Sequence, residues 1–136
     1  MNRSFLRILD ANYNRAKEAV RVAEDVARYH LADAKLTARF KRVRHDLTKG
    51  LLALKISDRK LVEARNSKED VGAKSFIRDK LRHGWKDLLV SNLKRAEEAS
   101  RVLEELSKMI QPDKARGFQA LRFRLYDLEK ESLRKF

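Results

Sequence analysis

The chain has 136 residues, with 33 Lys and Arg against 20 Asp and Glu, a formal charge of +13, and no cysteine. Without thiols there are no disulfides, thiolate metal sites or cysteine nucleophiles, and no apolar run approaches the ~20 residues of a membrane span. Four glycines and one proline leave little turn chemistry, and the abundance of Ala, Leu, Arg, Lys and Glu predicts helix nearly throughout. The expectation is one soluble, cytoplasmic, all-α domain over residues 1–136 that meets an anionic partner.

The first helix is predicted through DANYNRAKEAVRVAED (10–25), ending near His30, with Ala16, Ala19, Ala23 and Val26 along its apolar face. After a short break at LADA, a second helix runs roughly from Leu36 to Lys55, with Phe40, Val43, Leu47, Leu51 and Leu54 on one side. Residues 57–74 are the least regular: one helical turn around Leu61 and Val62, then ARNSKEDVGAK, which reads as a loop. Ser75 is the predicted cap of a long third helix reaching about Ile110, with a bend at Gly84. Gln111 and Pro112 break it, and a fourth helix carries LRFRLYDLEKESL.

The first and third helices repeat each other. Between Asn12 and Glu24, eight of thirteen positions recur eighty residues later: Asn92, Arg95, Ala96, Glu98, Ala99, Arg101, Val102 and Glu104 answer their counterparts. With the offset moved to 81, Phe40, Asp46 and Leu47 answer Leu121, Asp127 and Leu128. The repeating unit is therefore a helix hairpin, about 1–56 and about 75–136, joined by a crossover at 57–74. Two such amphipathic hairpins predict a four-helix bundle with a pseudo-twofold axis.

Charge separates the helices. Residues 10–29 and 92–108 each hold four basic and four acidic side chains, whereas 33–60, 74–86 and the stretch after Pro112 contribute +6, +4 and +3. At 100° per residue, Asn12 falls on the centre of the apolar face and Arg15 lies about 60° to one side. Buried asparagines need hydrogen bonds, so Asn12 and Asn92 read either as a structural polar pair or as the lining of a polar cleft. Arg15 and Arg95 beside them suit an anion. For Glu18, Arg21, Glu24 and their repeats, ion pairing on the helix surface is the default. The three histidines have no metal-ligand spacing. His30 reads as a helix-end residue, His83 as exposed, and His45, next to Arg44, as the histidine nearest a site. None of the phosphate-loop, dinucleotide, nucleophile-elbow or zinc-protease motifs is present. The residues by themselves give a basic all-α domain that binds an anion.

RILDANYNRAKEAVRVAEDVARY, FKRVRHDL, ARNSKEDVG, NLKRAEEASRVLEELSK and LRFRLYDLEK, in that order, resemble the small hydroxymethylpyrimidine phosphate kinase family of thiamin biosynthesis. That family occurs free-standing or fused in front of thiamin phosphate synthase, and the end at LEKESLRKF suggests a free-standing member. The resemblance implies ATP and Mg²⁺ as cofactors, a phosphorylated pyrimidine as acceptor, and a functional link to the synthase. It is compatible with a homodimer and points to neither membrane nor nucleic acid. In one place the chain departs from the family: Arg65-Asn66 stands where Arg-Asp is frequent, although Asp70 and Gly72 keep the following D-x-G.

Set against that chemistry, Asp10, Asn12, Arg15, Asn92 and Arg95 are the catalytic candidates. Lys41, Arg44, His45, Arg65 and Arg122 are candidates for substrate and phosphate contacts, and Glu18, Asp70 and Glu98, with Asp10, for Mg²⁺. Asp10 stands out because its repeat partner is Val90; the plainer reading is a helix N-cap. Tyr13, Phe123 and Tyr126 read as core aromatics or as stacking partners for a base. If both repeats build one site, alanine at Arg15 and at Arg95 should each abolish activity. Two alternatives come from other classes: a basic helical nucleic-acid-binding module, and a non-catalytic partner of the synthase.

Overall fold

In the computed structural model, which describes residues 1–74 and 81–136, every regular element is helical. Helix α1, Arg3–Asp25, starts where the Asn2 side chain accepts the Phe5 N–H at 2.8 Å. It continues into a π-helical turn, Val26–His30, whose wider spacing is fixed by the Leu31 N–H donating to Val26 O at 3.0 Å. Ala32, at φ +50°, turns the chain within LADA. Asp33 then caps α2, Ala34–Ala53, by accepting the Leu36 N–H at 2.9 Å. Lys55, at φ +57°, ends that helix slightly earlier than the sequence suggested. The single turn expected near Leu61 is a short helix, α3, Asp58–Ala64, capped by Ser57.

Helix α4 spans Trp85–Ile110 and α5 spans Pro112–Leu133. Ser75, the predicted cap, lies outside the described residues. The predicted bend at Gly84 is a helix start instead. Residues 81–84 are not helical, and Gly84 sits at φ +100°, a conformation L side chains rarely adopt. Pro112 occupies the first turn of α5, where its missing N–H costs nothing.

Helix α1 packs on α2, α3 and α4, and α5 packs on α4 and α2, so the four long helices form a ring around one core. The expected α2 stripe is buried throughout: Phe40, Val43, Leu47, Leu51 and Leu54 meet Leu9 and Val20 of α1, Leu93 and Leu103 of α4, and Phe118 and Leu125 of α5 in one cluster. Gly50 lets α2 approach α5, since a Cβ there would stand 3.0 Å from Phe118 Cε1. A valine at Gly50 should therefore lower stability by about 2 kcal/mol through overpacking. Urea unfolding reads that loss, and a smaller residue at Phe118 in the same chain should recover part of it.

The repeated polar residues make repeated contacts. Asn12 Nδ2 donates to Ile8 O at 2.9 Å and Asn92 Nδ2 to Leu88 O at 2.8 Å. Glu24 and Glu104 are not on the surface, as the sequence suggested; each is 4% exposed. Arg44 of α2 donates to Glu24 through Nε at 2.8 Å, and Arg122 of α5 donates to Glu104 through an Nη at 2.6 Å. Each hairpin is thus tied internally by a buried glutamate–arginine pair. Between the hairpins, Arg124 donates to Asp46 at 2.8 Å, and Arg39 pairs with Glu131. Glu97 is also 4% exposed, and among the described residues neither of its carboxyl oxygens is hydrogen-bonded.

Candidate functional site

The N-terminal half of α1 and the segment after α3 enclose a cavity of about 620 Å³. Its size is that of a small-molecule site. Asp10, Asn12, Arg15 and Glu18 line it from α1, and Arg65, Asn66 and Asp70 from the segment after α3. Six residues singled out in the sequence therefore share one space: Asp10, Asn12, Arg15, Glu18, Arg65 and Asp70.

The floor of this space is an ion pair. Asp10, 4% exposed, lies in the middle of α1 and is not its cap; Asn2 has that place. Its two oxygens accept Arg65 Nε at 2.5 Å and an Arg65 Nη at 2.8 Å, a bidentate pair across 55 residues of chain. Asn14 adds a third contact to the same carboxylate at 3.2 Å. Donating to Asp10 raises the Arg65 guanidinium above its usual value, so Arg65 stays charged. Arg65 itself is half exposed and lines the cavity. Arg15 lies across from it, exposed, its Nη 3.5 Å from Asn12 Oδ1. Asn12 thus satisfies its amide N–H within the helix and turns its oxygen toward Arg15.

Arg7, also in the lining and exposed, was not singled out in the sequence. It lies one turn before Asp10 and two before Arg15, on the same side of the helix; that i, i+3/i+8 spacing was the available signal. Asp70 accepts the Gly72 N–H at 2.9 Å, which folds the D-x-G into a tight turn at the rim. Among the described residues neither Glu18 nor Asp70 forms a salt bridge, and no group of three His, Asp or Glu side chains is placed to hold a metal ion.

The remaining sequence candidates lie elsewhere. Asn92, Arg95 and Glu98 sit on α4 and do not line this cavity, so the two repeats do not converge on it. Arg44 and Arg122 have their guanidinium groups committed to the buried Glu24 and Glu104. Hydrogen bonding raises both above the usual arginine value, for Arg44 through Glu24 and for Arg122 through Tyr126 and then Glu104. Lys41 and His45 are exposed on α2, away from the cavity. His30 closes the π turn and stacks on Trp85, and the His83 backbone N–H donates to Asp87. Tyr13 is part of the core rim, hydrogen-bonded to Thr48 at 3.1 Å, while Phe123 and Tyr126 stack on each other at the surface.

The ThiD2 family model matches residues 7–131. The chain belongs to the ThiD2 family. That match takes in every residue lining the cavity except Ser4. ThiD2 relatives include the thiamine-phosphate synthases of Nostoc punctiforme and Synechocystis, each 38% identical over 124 residues, covering 90% of this chain and 34% of theirs. That of Rhodopirellula baltica is 35% identical over 127 residues, covering 92% of this chain and 33% of its own. The chain therefore spans about a third of the length of these relatives, and their names place the ThiD2 family in thiamin biosynthesis. No solved structure matches the chain.

Proposed function

We propose that this chain is a phosphotransferase that moves the γ-phosphoryl group of ATP to hydroxymethylpyrimidine monophosphate, with Mg²⁺, and so makes the diphosphate. The observation that carries this reading is the cavity, where Arg7, Arg15 and Arg65 surround a floor whose one buried carboxylate is already neutralised. With Glu18 and Asp70 also in the lining the space is formally neutral, which suits phosphate groups that arrive with a cation. A thiamin phosphate synthase would consume the product, which accords with the names of the relatives.

The acceptor phosphate has a second pKa of roughly 6 and is a dianion at neutral pH. One of its oxygens forms the new O–P bond, the bond from the γ-phosphorus to the β–γ bridging oxygen breaks, and ADP leaves with that electron pair. No proton has to be removed first, so a strong base is unnecessary. Two repelling phosphates must instead be held in line, and arginines suit that task because their forks bind phosphate in fixed orientations. Magnesium shared with substrate phosphates needs only one or two protein carboxylates. Glu18 and Asp70, the lining acids without salt-bridge partners among the described residues, fit that need. When bound, the ion would neutralise phosphate charge.

Arg15→Ala should reduce turnover of the monophosphate at least 10²-fold, whereas Arg95→Ala, outside the cavity, should leave it near the parent rate; steady-state kinetics decides. The reading itself is tested by incubating the purified protein with ATP, Mg²⁺ and either the free alcohol or its monophosphate, and following product mass. Diphosphate from the monophosphate alone supports it. If neither compound is phosphorylated where a known kinase acts on both, the reading fails.

A further inference from the structure

Beyond the arginine-lined cavity, α1 carries a second one of opposite character. It measures about 330 Å³ and is lined by Val22, Asp25, Val26, Tyr29, Trp85 and Leu88, with His30 at its side. Its lining is apolar and aromatic with a single carboxylate, Asp25, at the rim. Tyr29 is 71% and Trp85 53% exposed, which is unusual for two large rings flanking one hollow. Behind Trp85 the rings are already stacked: His30 lies 4.9 Å from it at 21°, and Phe136 lies 6.0 Å from His30 at 19°. Trp85 is thus the terminal member of a run of three near-parallel rings.

The local backbone makes this possible. The π turn Val26–His30 interrupts the α-helical register where the cavity is built, and such turns, rare overall, are frequent at functional sites. The two cavities share no lining residue. The centres of the two linings on α1 are about fifteen residues apart, roughly 22 Å along the helix axis.

We propose that this second cavity binds a flat, unphosphorylated heteroaromatic ring bearing an amino group. A planar ligand in this cavity would have the exposed Tyr29 and Trp85 rings to pack against, since both line it. The Asp25 carboxylate can only accept hydrogen bonds, so it selects a ring carrying N–H groups. It also repels a phosphate, and the lining itself holds no arginine: Arg21, 3.6 Å from Asp25, and Arg28, 4.9 Å from the Tyr29 ring centre, lie outside it. The site is independent of the kinase reading, because it shares no residue with the arginine-lined cavity.

Trp85 is the sole tryptophan of the chain, so it supplies a single indole N–H signal in an ¹⁵N-correlated NMR spectrum. Titration of the intact protein with adenine should move that signal saturably at sub-millimolar to millimolar concentration. Tyr29→Ala, at a mostly exposed position whose truncation spares the core, should weaken binding at least fivefold. Asp25→Asn should weaken adenine while narrowing its advantage over adenosine monophosphate. The proposal is overturned if the indole signal stays fixed at millimolar adenine, if Tyr29→Ala binds as the parent does, or if the monophosphate binds as tightly as the free base.

Discussion

Asp10→Ala is expected to lower kcat/KM for the monophosphate by about 10²-fold while moving the melting temperature only a few degrees. Asp10 does not touch the substrate in this scheme. It positions Arg65, whose fork has no other hydrogen-bond partner among the described residues. Removing a charge-assisted hydrogen bond from a transition state costs roughly 1.5–3 kcal/mol, or about 10- to 100-fold in rate, and a freed Arg65 loses orientation as well. Stability changes little because Arg65 is half exposed and returns to water, while the variant no longer buries a carboxylate. Asp10→Glu should recover part of the activity. If Asp10 were a metal ligand instead, raising Mg²⁺ would rescue Asp10→Ala; a positioning role predicts that kcat/KM stays low at every Mg²⁺ concentration.

Stability should fall by about 3 kcal/mol between pH 5 and pH 9 because of one acid, Glu97. Burial between α4 and α5 and the neighbouring Glu129 carboxylate push Glu97 up to about 8, against the opposing effect of Lys94. Lys94 Nζ lies 3.7 Å from Glu97 and 2.9 Å from Glu129, one cation between two carboxylates. Neither Glu97 oxygen finds a hydrogen-bond donor among the described residues, so the missing donor is a proton on Glu97 itself, directed at Glu129. In the unfolded chain Glu97 titrates near 4.5. Below that value both states hold the proton and its stabilisation is complete. From about 4.5 to 8 the unfolded chain releases it while the fold keeps it, so stability declines with rising pH, then levels off. Glu97→Gln supplies a permanent donor and removes the charge. It should flatten this slope and be more stable than the parent at pH 9, as urea midpoints at pH 5, 7 and 9 would show; an unchanged slope refutes the assignment.

The helix-spaced apolar residues made the architecture legible. Phe40 to Leu54 are buried as their periodicity required, and Ala23 with Asn12 marked the inner face of α1 because helical angle alone fixes it. Flank positions were not legible in this way. Glu24 and Glu104 lie far from the centre of the apolar face, where the neighbouring helix decides whether a side chain is wet; Arg44 and Arg122 reach over them and shut out water. The π turn was also invisible, since Val26–His30 has unremarkable helix formers and owes its register to the chain reversal at Ala32. In the site, the α1 residues were found because they recur or, like Asp10, fail to recur. Their partner Arg65 came only from the family resemblance, because a bond across 55 residues has no local periodicity. The proximity of Glu97 to Glu129 escaped notice for the same reason.

The two glutamate–arginine ties also bear on how the chain finds its fold. Glu24 with Arg44 and Glu104 with Arg122 are the same chemistry used twice, so neither tie distinguishes its own hairpin from the other. What tells the hairpins apart is unsymmetrical: Asp10 opposite Arg65, and the crossed pairs Asp46–Arg124 and Arg39–Glu131. At high concentration during refolding, the α2 or α5 helix of a neighbouring molecule can answer a buried glutamate as well as the chain's own can. Exchange of single helices between molecules is the misassembly to which this duplication exposes the chain.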